Sequence, residues 1–247
     1  MSSAAVWHEV ECGGYDADLP VIEELARGRE GRVLELGCGT GRVALHLAHR
    51  GQEVWGVDAN PELLEALGAR ASAEGLAVRT VCADIRALDL DRDFALIVAP
   101  MQVLQMLGGK PARLAALERA GAHLIAGGRL AAAIVEHPAP SLDGGAAIPD
   151  IRERNGWTYS SLPVGAVTTD GGIEIHRFRQ AVAPDGALSE EEYVEHLDAL
   201  AADELEAEAE EVGLRPVERL YVPSTDGYLG STVVVLESAY PVQSWPG

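Results

Sequence analysis

The chain of 247 residues predicts an α/β fold in which a doubly wound, mainly parallel sheet is followed by an antiparallel β insertion. Three observations carry that expectation. Apolar strand-like runs alternate with helical ones through the first half, the pattern of βαβ units. The first strand and the first helix of that series are joined by a glycine-rich loop. The second half changes character, with strand-like runs separated by hairpin turn residues.

Residues 32–36 are a short apolar run ending in Gly37-Cys38-Gly39-Thr40-Gly41. Residues 42–50 read as a helix, with Val43, Leu45, Leu47 and Ala48 apolar and Gly51 placed just past its end. A second strand covers 53–57. Asn60-Pro61 then opens a helix with Leu63, Leu64 and Leu67 on one face, proline standing at the first helical position. Further strands follow at 77–82, 94–99 and 129–135, and a helix over 112–125 stops at Gly127-Gly128. In the second half, strands at 157–167, 173–182 and 188–197 are parted by Asp170-Gly171-Gly172 and Pro184-Asp185-Gly186. A helix over 201–212 ends at Gly213, and strands at 215–222 and 232–237 complete the pattern. Residues 240–247 read as a loosely attached tail.

A chain of this length buries roughly 70–75% of its unfolded surface, enough for one substantial core, and a single domain over 1–247 is expected. Its formal charge is −20, from 19 basic and 39 acidic residues. Such a surface repels phosphate backbones and anionic membranes. No nucleic-acid partner is therefore expected, and a neutral or cationic small molecule is the better fit. No apolar stretch approaches the ~20 residues that span a bilayer, and residues 1–10 lack a basic segment followed by an apolar run. The expectation is a cytoplasmic protein with no membrane partner. Cys12, Cys38 and Cys82 are odd in number, far apart and without metal-ligand spacing, so reduced thiols and no metal site are expected.

The chemical centre is the stretch from Val33 to Gly41. A strand ends, the chain turns on glycines, and a helix begins. A Cβ at those positions would block the turn or hold a ligand off the backbone, and the N–H groups at the helix start favour negative charge. The spacing is Glu-x-Gly-x-Gly-x-Gly, with Arg42 where a dinucleotide fingerprint would place its third glycine. Asp58 follows the second strand, where a carboxylate can accept both hydroxyl hydrogens of a ribose. Asp84 follows the third, where a carboxylate can reach an adenine amino group. Acidic or glycine-rich chemistry thus stands at three successive strand ends.

Across 33–84 these residues resemble the class I S-adenosylmethionine-dependent methyltransferases, and the rest of the chain resembles them loosely. The resemblance implies a Rossmann-like seven-stranded sheet, mainly parallel with its last strand reversed, and S-adenosylmethionine as cofactor. It implies that Glu35, Gly37, Cys38, Gly39 and Gly41 surround the methionine part, that Asp58 with Ala59 holds the ribose, and that Asp84 with Ile85 holds the adenine. The loop after the fourth strand, Pro100-Met101-Gln102-Val103, would lie beside the methyl group. Tyr15-Asp16-Ala17-Asp18 resembles the family's N-terminal lid, whose tyrosine commonly caps the cofactor. The domain would then divide into a lid and helix segment (1–30), a cofactor-binding core (31–136), an antiparallel substrate-side insertion (155–200) and a terminal helix and strand hairpin (201–238).

Methyl transfer is an in-line displacement, and orientation alone can supply on the order of 7–11 kcal/mol. A general base helps a hydroxyl or ammonium nucleophile; His137, just past the fifth strand, is the candidate. Gln102, Trp157, Tyr159 and His176 are the candidates for the substrate side. The acceptor is expected to be the N or O atom of a small metabolite of secondary metabolism, with a protein substrate left open. A nicotinamide oxidoreductase fits poorly: the glycine spacing differs, and Lys110, the sole lysine, has Met106 where a Tyr-x-x-x-Lys pair would need tyrosine. A binding or regulatory protein that keeps the cofactor fold without catalysis stays open. Ala99-Pro100-Met101-Gln102 stands where base N-methylating enzymes carry an Asn/Asp-Pro-Pro-aromatic tetrad. Exposed strand edges in the insertion predict a homodimer.

Overall fold

The computed structural model is described over residues 4–136, 148–225 and 228–239. His137 and the tail at 240–247 lie outside those residues. Two helices, α1 (Ala4–Cys12) and α2 (Leu19–Ala26), precede the alternating series β1 (Val33–Leu36), α3 (Arg42–His49), β2 (Val54–Asp58), α4 (Pro61–Ala73), β3 (Val78–Cys82), β4 (Phe94–Ala99), α5 (Lys110–Ala122) and β5 (Leu124–Ile134). Strands β6 (Asp150–Arg154), β7 (Trp157–Thr169), β8 (Gly172–Val182) and β9 (Leu188–Asp198) follow, then α6 (Ala202–Glu211), β10 (Leu214–Val222) and β11 (Ser231–Ser238). Among the described residues, no helix is long and apolar enough to cross a membrane.

Seven strands form one sheet in the order β10-β11-β5-β4-β1-β2-β3. All neighbours pair in parallel except β11, which runs antiparallel to both β5 and β10. The last strand is therefore the reversed one, as the resemblance implies. Every residue of β1 and β4 is buried, which is why these central strands read as unbroken apolar runs. Alternation along them splits the core. Leu34, Leu36 and Ile97 face α5 and α6, while Val33, Leu96 and Val98 face α2, α3 and α4.

Two boundaries differ from expectation. Helix α5 ends at Ala122, and the fifth strand already begins at Leu124. The His123 carbonyl accepts the Phe94 N–H at 2.8 Å, so the chain joins the β4 ladder there. Gly127-Gly128 consequently lies in an irregular stretch of the ladder, between the pairs Phe94↔Leu124 and Leu96↔Arg129, instead of capping the helix. The antiparallel sheet also has four strands, β6-β7-β8-β9, the first of which sequence patterning did not reveal.

Within this second sheet, side chains alternate between two faces. Ile173, Ile175, Arg177 and Arg179 of β8 share one face with Tyr193, Glu195 and Leu197 of β9, their register partners. That face lies over α1 and the C-terminal ends of the parallel strands. A buried amide fixes the arrangement: Gln105 donates to the Val135 and Asp198 carbonyls at 2.9 and 3.0 Å and accepts the Val135 N–H at 2.8 Å. It thereby ties the end of β5 to the end of β9.

Candidate functional site

The loop after β1 is shaped by close approach. Gly37 has φ 66°, and a Cβ there would stand 2.6 Å from Val103. Gly39 has φ 52°, and a Cβ there would stand 2.1 Å from His8 Nε2. Neither backbone conformation suits an ordinary L-residue. Only glycine lets the loop lie flat beneath α1.

A cavity of about 430 Å³ opens over this loop at the C-terminal ends of β1, β2, β3 and β4. Glu35, Gly37, Cys38, Asp58, Ala59, Asp84, Ile85, Pro100 and Met101 all line it, so the structure gathers nine expected cofactor residues around one space. Gly39 and Gly41 shape the loop behind it, and Tyr15 stands in the neighbouring cavity.

Glu35 is the most unusual of these groups. It is 2% exposed on the central strand, and its Oε2 has no hydrogen-bond partner. Burial pushes its carboxyl up to about 8, against the pull of Arg42 and a backbone hydrogen bond from Ala44. A buried carboxylate oxygen without a partner calls for a cationic donor. Asp58 is oriented by the backbone: its Oδ2 accepts the Gly39 N–H at 2.9 Å and its Oδ1 the Asn60 N–H at 2.8 Å. Each oxygen keeps a lone pair for a hydroxyl. Asp84, at the rim, accepts the Arg86 N–H at 2.9 Å and pairs with the Arg86 guanidinium, which holds its carboxyl below the usual range. The loop after β4 is strained on the side facing the cavity. Met101 and Gln102 adopt left-handed φ values of 47° and 62°, a cost of about 1–3 kcal/mol each of the kind found at ligand sites.

The lid segment is fastened to the glycine loop. Arg42 makes a two-pronged contact with Asp18, at 2.5 and 2.7 Å, and donates to the Tyr15 carbonyl at 3.0 Å. From α1, His8 shares a hydrogen bond of 3.1 Å with Thr40, and burial lowers its pKa, keeping the ring neutral. A buried carboxylate oxygen without a partner, a loop that close approach restricts to glycine and an aspartate oriented by two backbone N–H groups together fit S-adenosylmethionine.

Residues 33–128 match the family model described as a methyltransferase domain. Its fold is that of the class I methyltransferases. The methyltransferase fold is shared by three solved structures. The CcbJ methyltransferase from Streptomyces caelestis is 24% identical, covers 92% of each chain and has a TM-score of 0.69. The sugar N-methyltransferase KedS8 from a Streptoalloteichus species is 21% identical over 96% of this chain and 94% of that one, with a TM-score of 0.74. The SAM-bound amino pentose methyltransferase CalS10 from Micromonospora echinaspora is 20% identical over 95% and 98%, with a TM-score of 0.72. No curated protein matches this chain in sequence.

A second cavity of about 360 Å³ adjoins the first. It lies between α1 and the inner face of the four-stranded sheet. His8, Cys12, Leu63, Met101, Gln102 and Glu195 line both spaces. Of the expected substrate-side residues, Gln102 stands at this junction, its amide donating to Ser231 Oγ at 3.0 Å. The other three point elsewhere. Tyr159 packs edge-on against Trp7 with Trp157 stacked on it, in a small buried cluster. His176 faces the outer side of the sheet beside Glu174, because strand alternation turns it away from its inward neighbours Ile175 and Arg177. The inward charges Arg177, Arg179 and Glu195, like His8 on α1, were missed by sequence reasoning. The available signal was the spacing of two arginines two residues apart within an otherwise apolar alternation.

Proposed function

We propose that the protein transfers a methyl group from S-adenosylmethionine to a nitrogen or oxygen atom of a small molecule seated in the second cavity. The observation that carries this is the junction of the two cavities at Met101, Gln102 and Glu195. Glu35 would hold the ammonium of the methionine part, Asp58 the ribose hydroxyls, and Asp84 with Ile85 the adenine. When bound, the cofactor supplies a sulfonium methyl carbon, whose bond to sulfur breaks as the bond to the acceptor forms, the electron pair leaving on a neutral thioether. The chain aligns the acceptor and excludes water, through the strained loop after β4 on one side and α1 with the four-stranded sheet on the other. His137 is retained as a candidate base.

An acceptor space of this size suits a metabolite, and the −20 charge opposes nucleic acid. The sugar and amino pentose substrates named for KedS8 and CalS10, and the calicheamicin biosynthesis named for CalS10, favour a role in secondary metabolism. The reading includes a homodimer. Ile151, Val164, Val167, Leu188 and Val194 are exposed on the outer face of the four-stranded sheet, an apolar surface of the kind that marks interfaces. The test is incubation with methyl-labelled S-adenosylmethionine and a panel of amines, phenols and sugars. Label is expected in a small-molecule product. Firm cofactor binding with no label in any acceptor would instead favour a binding protein.

A further inference from the structure

The inner face of the four-stranded sheet turns Arg177, Arg179 and Glu195 to the cavities where an apolar lining would be ordinary, and the two arginines are already neutralised. Arg179 grips Glu11 of α1 with two hydrogen bonds, at 2.6 and 2.7 Å, and reaches Glu191 at 3.2 Å. Ser161 adds a donor to the same Glu11 carboxylate at 2.8 Å. Arg177 is held by Asp150 at 3.2 Å and by the Ser161 hydroxyl at 3.3 Å. Glu195 differs. It stands opposite Ile175 in the ladder, lines both cavities, and takes part in no hydrogen bond or ion pair with any described residue. Its carboxyl is largely desolvated.

The charged groups that act on Glu195 are Glu11, which repels it, and Arg177 and Arg179, which attract it but are paired elsewhere. Burial pushes the Cys12 thiol up to about 12 and the Tyr15 phenol likewise to about 12, so both stay neutral. His8 is kept neutral by burial. The two arginines are committed to Glu11, Glu191 and Asp150. A half-buried carboxylate at the junction of the cavities, with no cation assigned to it, has the electrostatics of a receptor for one.

Building on the methyl-transfer reading above, we propose that Glu195 is the acceptor-side anchor: it receives the protonated nitrogen of an amine substrate and takes the proton which that nitrogen must shed before it can accept a methyl group. One N–H bond of the ammonium breaks, its electron pair stays on nitrogen as the nucleophilic lone pair, and the proton forms an O–H bond on Glu195. Burial raises the carboxyl above its ordinary value, with Glu11 adding to the effect and Arg177 and Arg179 opposing it, which brings its basicity closer to that of an amine. A neutral hydroxyl is a far weaker acid, and a carboxylate cannot draw its proton off to any useful extent. The site therefore selects amines over alcohols of the same shape.

The test uses the full chain saturated with S-adenosylhomocysteine, and cyclohexylamine against cyclohexanol as isosteric probes, with binding read by ligand-observed NMR. The amine is expected to bind about ten- to a hundred-fold more tightly than the alcohol, the range of a charge-assisted hydrogen bond. Glu195→Gln, which keeps shape but not charge, should bring the amine down to the level of the alcohol; Glu195→Asp should keep part of the preference. Equal binding of the two probes, no binding of the amine, or an amine preference that survives Glu195→Gln would each overturn the proposal. Failure of S-adenosylhomocysteine itself to bind, measured on the same samples before either probe is added, would instead overturn the methyl-transfer reading and this proposal with it.

Discussion

Arg179 of β8 and Glu11 of α1, 168 positions apart in the chain, form a two-pronged ion pair that fixes the N-terminal helix beneath the four-stranded sheet. Both side chains are about nine-tenths buried, and the guanidinium is held between the rings of Trp7 and Tyr193. This contact makes the roof of the second cavity a single unit built from two distant segments.

Removing one partner of a buried pair strands the other charge and costs about 3–5 kcal/mol. Arg179→Ala should therefore lower stability by that amount in urea unfolding. Replacing both partners by leucine should cost less than Arg179→Ala alone. A double variant as unstable as the sum of the two single ones would show that the pair carries no coupling.

The Glu35 carboxyl predicts a pH dependence of stability. Its ordinary value is 4.5, and burial raises it to about 8 in the folded protein. The folded state thus holds a proton that the unfolded state has lost. Its contribution to stability is complete below about pH 4.5 and disappears as pH rises through about 8. Glu35→Gln should flatten this fall in stability between those limits. Should the variant and the wild type lose stability in parallel across that range, Glu35 is not the group responsible.

The same residue predicts proton release on cofactor binding. An ammonium placed against Glu35 favours its ionised form. At pH 7, calorimetric titration with S-adenosylhomocysteine in buffers of different ionisation enthalpy should register the release of about one proton. The release should vanish in Glu35→Gln.

How far the sequence disclosed this molecule follows from what each signal depends on. The glycine loop, Asp58 and Asp84 were legible because their chemistry is local: each stands at the end of an apolar strand, within a few residues of the turn it serves. The parallel strands were legible for the same reason, as continuous runs such as Phe94–Ala99. The lining of the second cavity was not. Glu11, Arg179 and Glu195 acquire meaning only when α1, β8 and β9 are brought together, a tertiary event with no local pattern. His176 shows the failure in detail. It has the right chemistry in the right strand, but a period of two sends it to the face opposite Arg177. Strand β6 was missed because its sequence, Asp-Ile-Arg-Glu-Arg, is an exposed edge with little apolar content.

Gln105 should be indispensable to the link between core and insertion. Gln105→Leu leaves the buried Val135 N–H and carbonyl and the Asp198 carbonyl without their partner. Each such loss costs about 1–3 kcal/mol, so a destabilisation of several kcal/mol is expected in equilibrium unfolding. A loss under about 0.5 kcal/mol would mean that the ends of β5 and β9 are held together by other contacts.

The outer face of the four-stranded sheet predicts self-association. Light scattering at micromolar concentration should give the mass of two chains, and Val194→Glu should halve it. A monomeric mass for the wild type at every concentration would remove the homodimer.

The central claim is that the cavity over the glycine loop binds S-adenosylmethionine through Asp58 and its neighbours. Calorimetric titration of the wild type and of Asp58→Ala with S-adenosylhomocysteine and with NADH tests it most directly. Binding of S-adenosylhomocysteine and not of NADH is expected, weakened about ten- to a hundred-fold in Asp58→Ala while the protein remains folded. Binding of NADH in place of S-adenosylhomocysteine, or an unchanged affinity in the variant, would contradict it.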